Sequence, residues 1–234
     1  MTGNKNMYKF IIIAFIIFSL TLASCESKDK TKAFEGNIDV DSDIYLVPIG
    51  DVDIKYLEAI VPKLEKRFTT NVYVSADKRM AIPDDAYDYD EQKYVSVYIL
   101  HEMSKKLTLP PNSRVLGVTN VDIFVPESGY TFFFGQSFKQ AKMALISIIR
   151  MDPKSYVRGK PNDTLLIERM GKEAVHVLGH LFGLSNVPDN GCVMYLPTDL
   201  KSLDRKSDSF CLQCQKDFSA LKEKSKKDPT IGAL

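Results

Sequence analysis

The hydrophobic positions fall into blocks with different periods. Residues 10–22 (FIIIAFIIFSLTL) are almost wholly apolar, follow Lys5 and Lys9, and give way to a charged stretch, residues 26–37 (ESKDKTKAFEGN). Residues 44–49 (IYLVPI) form a short apolar run of the kind a buried strand shows. Beyond Asp53, apolar residues recur at Ile54, Leu57, Ile60, Val61, Leu64 and Phe68, a helical spacing for which Asp53 is a natural N-cap. Pro62 interrupts that pattern and weakens it locally. Residues 71–75 read as a strand and 95–107 as a helix. Residues 114–126 hold two β-rich runs divided by Asn120, and residues 131–135 and 142–150 are strand-like. Pro161-Asn162-Asp163-Thr164 opens a long helical stretch that reaches Leu184. Strands and helices mixed without strict alternation predict an α+β domain.

About thirteen apolar residues are too few to span a bilayer, which takes about 20, and suit the core of a secretory signal. Leu22-Ala23-Ser24-Cys25 resembles the lipobox of bacterial lipoproteins, where small residues precede a lipidated Cys. That resemblance implies an organisation of three parts: a signal peptide over 1–24, a tether over 25–42 starting at lipidated Cys25, and a domain over 43–234. It implies an exported lipoprotein on the periplasmic or cell-surface face, held to the membrane by its N-terminal lipid. The competing reading is an uncleaved single anchor with an incidental Cys. No second long apolar run follows.

Composition refines this. The chain has 234 residues, 44% hydrophobic, with 31 Lys+Arg against 30 Asp+Glu. That apolar fraction excludes a disordered chain. The balanced charge argues against nucleic acid as a partner. Residues 84–91 (DDAYDYDE) are acidic, but their spacing matches no calcium loop, so they read as a loop whose last acids sit at a helix N-terminus. The lysine-rich end, residues 222–228, reads as solvated and frayed.

The candidate chemistry lies near the C-terminus. His176 and His180 are two of only three histidines, four apart on one face of the predicted helix, the spacing two imidazole ligands of zinc need. His101 reads as a structural or surface residue. Gly183 follows where that helix must turn, then Cys192-Val-Met194 and Cys211-Leu-Gln-Cys214.

In these residues the chain resembles the archaemetzincins, a zinc-metallopeptidase family. The shared pattern is His176-x-x-x-His180-x-x-Gly183, then Cys192-x-Met194, then Cys211-x-x-Cys214, with residues 115–126, 133–135 and the strand to Arg150 matching the family's core strands. The resemblance covers about residues 44–224. It implies a metzincin-like domain with a mixed twisted β-sheet, an active-site helix and a Cys-containing C-terminal subdomain over 187–234. It also implies zinc at His176 and His180, a second metal site at Cys192, Cys211 and Cys214, and Met194 packed beneath the histidines.

Three departures accompany the resemblance. Val177 stands where the family has its general-base Glu, and Valine accepts no proton. Asn186 stands at the third His, and Val187 at the first Cys of the second metal site. The resulting expectation is a degenerate metallopeptidase, acting as a binding or scaffold module for a peptide or protein and with no catalytic residue assigned. The alternative is an active zinc peptidase with an unusual base and third ligand, for which Glu173 is the nearest acid on the same helix face. Whether the protein is an enzyme is left open by the sequence. For the cysteines, Asp189, Asp208 or water would complete a structural zinc, and a Cys211–Cys214 disulfide is the rival arrangement.

Overall fold

The computed structural model describes residues 43–110, 113–156 and 159–227. The signal, the tether and Cys25 lie outside the described residues. Among those described, no helix is long and apolar enough to cross a membrane.

A five-stranded sheet organises the domain, in the order β2-β1-β5-β8-β7. Its strands are β1 (Ile44–Ile49), β2 (Val72–Val74), β5 (Arg114–Thr119), β7 (Gly135–Phe138) and β8 (Met143–Ser147). The first four in spatial order run parallel, with Leu46 beside Leu116 and Leu116 beside Ala144; β7 pairs antiparallel at the edge, with Gln136 opposite Leu145. Both faces are covered, which is why β1 reads as a continuous apolar run rather than an alternating one. One face presents Ile44, Leu46, Leu116, Val118, Ala144 and Ile146 to the larger core. The other presents Val47, Ile49, Val115 and Leu145 to a smaller one, closed by Ile99, Leu100 and Met103. Those three residues lie on α2 (Ser96–Lys106).

Helix α1 (Ile54–Phe68) buries Leu57, Ile60, Leu64 and Phe68 against the larger core, and Asp53 caps it by accepting from the Lys55 N–H at 3.0 Å. Pro62 is tolerated because it sits on the exposed side of the helix, where the carbonyl it leaves unbonded meets water. Helix α3 (Asp163–Leu181) starts at Asn162, whose side chain accepts from the Leu165 N–H, and is buried continuously over residues 169–179.

Four expectations are corrected. The apolar residues 131–134 are not strand; Phe132 and Phe134 pack edge to face, and the more polar residues 135–138 form β7. An edge strand covered on one side needs fewer apolar residues than a plug in the core. The acidic stretch is a hairpin rather than a helix cap: β3 (Tyr87–Asp88) pairs antiparallel with β4 (Lys93–Val95), and β4 pairs in turn with β6 (Ile123–Phe124). Helix α3 stops at Leu181, with Gly183 at φ 95° and the Leu184 N–H returning to the Gly179 carbonyl. The lysine-rich end continues a helix, α5 (Leu212–Lys227), preceded by a short α4 (Leu200–Arg205).

Candidate metal centres

His176 and His180 project from α3 toward each other. Their Nε2 atoms are 3.3 Å apart, and their rings meet edge to face at 83°. Each Nδ1 lies 2.9 Å from a backbone carbonyl, that of Val193 for His176 and that of Leu184 for His180. A carbonyl only accepts, so each Nδ1 carries the proton and each Nε2 offers a bare lone pair. Burial, and then the nearby Lys206 charge, lowers the His176 pKa to about 3. Burial, followed by His176 itself, lowers His180 to about 3 as well. Two buried lone pairs therefore face each other with no proton between them near neutrality. A cation relieves that repulsion. Zinc–nitrogen bonds of about 2.0–2.1 Å at a tetrahedral angle place two nitrogens about 3.3–3.4 Å apart. The pair fits two corners of such a site, and the Nδ1 contacts supply the outer-shell orientation that metal-bound histidines require.

Met194 supports this arrangement from below. A Cβ on Gly179, between the two histidines, would stand 2.6 Å from the Met194 Sδ. The glycine thus lets the sulfur pack against the helix backbone, the role expected of a Met-turn.

Val177 is 1% exposed and packs over Gly135, where an added Cβ would meet the Val177 Cγ1 at 2.8 Å. The Ser137 hydroxyl donates to the Val177 carbonyl at 2.8 Å, tying β7 to the helix. No acceptor side chain stands at this position. Glu173 does not replace it. Its carboxylate accepts from the Lys206 ammonium at 3.1 Å, and both side chains are nearly or fully buried. Asn186 is exposed in the turn after α3. Among the described residues, no His, Cys, Asp or Glu joins the histidine pair as a third member of a metal-holding group.

Cys192, Cys211 and Cys214 do come together, with their sulfurs within 4.8 Å of one another. All three are free, and Cys192 and Cys214 lie 3.8 Å apart. Zinc–sulfur bonds of about 2.3 Å at a tetrahedral angle give about 3.8 Å. The Cys192 sulfur accepts from the Cys211 N–H at 3.1 Å and the Met194 N–H at 3.5 Å. Backbone N–H bonds at the start of α5, the Cys214 amide first, lower the Cys211 pKa. Burial raises that of Cys214. The trio can hold a metal, but neither acid expected beside it is present. The Asp189 carboxylate accepts from the Gly191 N–H, and Asp208 pairs with Lys63 at 3.2 Å and Arg67 at 3.8 Å. Asp208 was drawn away because α1 brings two cations to it. Val187 is half-buried, with its N–H on the Met194 carbonyl.

Two residues near the site carry no sequence signal. Lys206 looks like one more cation in a charged stretch, yet it is buried and also donates to the Tyr195 carbonyl at 3.4 Å. Lys139, half-buried just after β7, lies close enough to His180 to oppose its protonation. His101 is exposed on α2.

The chain is similar to known proteins in sequence and in fold. Residues 63–220 match the profile of peptidase family M54. The archaemetzincin of Pyrococcus furiosus is 35% identical over 175 residues, which are 73% of this chain and 89% of that protein. The crystal structure of the Methanopyrus kandleri archaemetzincin superposes with a TM-score of 0.67 at 28% identity, over 79% of this chain and 97% of its own. That of a zinc-dependent peptidase from Methanocorpusculum labreanum gives 0.66 at 25% identity, over 75% and 99%.

Proposed function

The chain belongs to the archaemetzincins, peptidase family M54, and we propose that it is a member in which peptide hydrolysis has lapsed while the metal-bearing cleft is kept as a binding module. Zinc is the metal of this family, and His176 and His180 are the residues that would hold it. When bound, zinc supplies a Lewis acid in the cleft. The residues of this chain then orient it: the Val193 and Leu184 carbonyls hold the two rings, and Met194 packs beneath them.

The observation that carries the reading is the buried Val177. A general base must stand within hydrogen-bond reach of the proton it takes, and it contributes about 10²–10⁴-fold in rate. The side chain at 177 accepts nothing, and Glu173, three residues before His176 on the same helix, is held by Lys206 at 3.1 Å. With the Cys25 lipid as anchor, the domain would present its cleft outside the cell membrane to a peptide or protein.

The test uses the full chain in detergent, with bound zinc quantified and cleavage assayed against a peptide library. Weak, chelator-reversible zinc binding without turnover is expected, with zinc held more tightly and turnover gained in the V177E/N186H double variant. Chelator-sensitive cleavage by the unmodified chain, lost in H176A, would show an active peptidase instead.

A further inference from the structure

Ligand number, rather than ligand spacing, separates the two metal centres. A structural zinc site is closed by four protein ligands. The cysteine centre brings three sulfurs, and the fourth corner of the family pattern is Val187. That residue is tied to the cluster's own loop through the Met194 carbonyl, and its side chain packs on the core that also contains Cys192, Cys214 and Met194. An apolar side chain at that position of the pattern offers no donor atom. The carboxylates that sequence places nearby are engaged elsewhere, Asp189 on the Gly191 N–H and Asp208 on Lys63.

We propose that Cys192, Cys211 and Cys214 form a three-coordinate thiolate site that takes a soft monovalent cation, Cu(I), in preference to zinc. Thiolate sulfur is the donor that favours Cu(I), and three thiolates satisfy a closed-shell monovalent ion, whereas zinc held by three protein ligands must take a water as its fourth. The sulfur spacing of 3.8 Å suits either ion, so the missing fourth ligand decides. The thiolate charge has local support: two backbone N–H groups point at the Cys192 sulfur, at 3.1 and 3.5 Å, and Cys211 precedes the first turn of α5. The chemistry is a ligand exchange. Copper remains Cu(I), the displaced thiol protons pass to solvent, and three Cu–S bonds form, so no oxidant or reductant is consumed. This inference goes beyond the loss of hydrolysis and does not depend on it.

The experiment is an anaerobic titration of the full chain, metal-free and reduced, with Cu(I) against a chromophoric Cu(I) chelator. A parallel titration uses zinc against a chromophoric zinc chelator. One Cu(I) per chain is expected, with a sulfur-only coordination shell by X-ray absorption. Zinc should not displace it. Cys211 is half-exposed, so C211S should fold and weaken Cu(I) binding by at least about tenfold, while H176Q/H180Q leaves it unchanged. V187C should restore a fourth thiolate and raise zinc affinity by about tenfold or more. The proposal is overturned if the unmodified trio binds zinc more tightly than Cu(I). It also fails if Cu(I) is lost in H176Q/H180Q but not in C211S, or if V187C leaves zinc affinity where it was.

Discussion

Glu173 and Lys206 meet at 3.1 Å with side chains 3% and 0% exposed, one turn from His176 along the same helix face. The pair removes Glu173, the acid one turn before His176, from duty as a base. It also places a positive charge where it disfavours protonation of His176.

Breaking that pair from one side leaves an uncompensated charge in the core. K206M is expected to destabilise the fold by about 3–5 kcal/mol. The double variant E173Q/K206M should lose less than the sum of the single changes. Denaturant midpoints for the three variants check this, and strict additivity would show that the two groups act independently.

The histidines make stability depend on pH. Both rings have folded pKa values lowered to about 3 from the usual 6.5, so the unfolded chain binds more protons between those limits. Their contribution is complete above about pH 6.5 and is lost progressively as pH falls toward 3. Metal-free protein should show this slope, and H176Q/H180Q should flatten it. An unchanged slope in the double variant would place the titration elsewhere.

Zinc should raise the unfolding midpoint by binding only the folded state. At about 100 times its Kd a single ion contributes about 2.7 kcal/mol. The shift should disappear on chelation, and the part due to the histidine pair should vanish in H176Q/H180Q. Melting curves across a zinc series test this.

Two glycines separate packing from function. In G135A the new Cβ meets Leu145 backbone oxygen and Ile146 at 3.0 Å besides Val177, and rigid neighbours cannot yield, so a loss of about 1–3 kcal/mol is expected. In G179A the obstacle is the flexible Met194 side chain, which can move. G179A should cost less stability than G135A but weaken zinc binding, because Met194 packs under the histidines. Paired melting and zinc titrations distinguish the two.

Much of this was legible along the chain where the cause is local. The apolar spacing from Ile54 to Phe68 marks α1, and Asp53 caps it, because helix period and capping act within a few residues. Residues 131–134 misled because an apolar aromatic run has the same composition as a strand or a loop plugging the core. The hairpin at Tyr87–Val95 was hidden because its strands are only two and three residues long, too short for a period, and β4 finds its second partner, β6, about thirty residues further on.

For the site, sequence alone determined that His176 and His180 share a helix face and that Val177 and Val187 carry no metal-binding or proton-accepting group. Those are consequences of residue type and of a helix repeat that needs no distant contact. That Val177, Val187 and Asn186 stand at the family's base and ligand positions is what the resemblance implies. Tertiary structure decided the rest. It aimed the carbonyls of Val193 and Leu184 at the two rings, bound Glu173 to Lys206 across 33 residues, and drew Asp208 to Lys63 and away from the cysteines. Such partnerships join segments far apart in the chain. Their strength depends on burial, and only the packed core confers it.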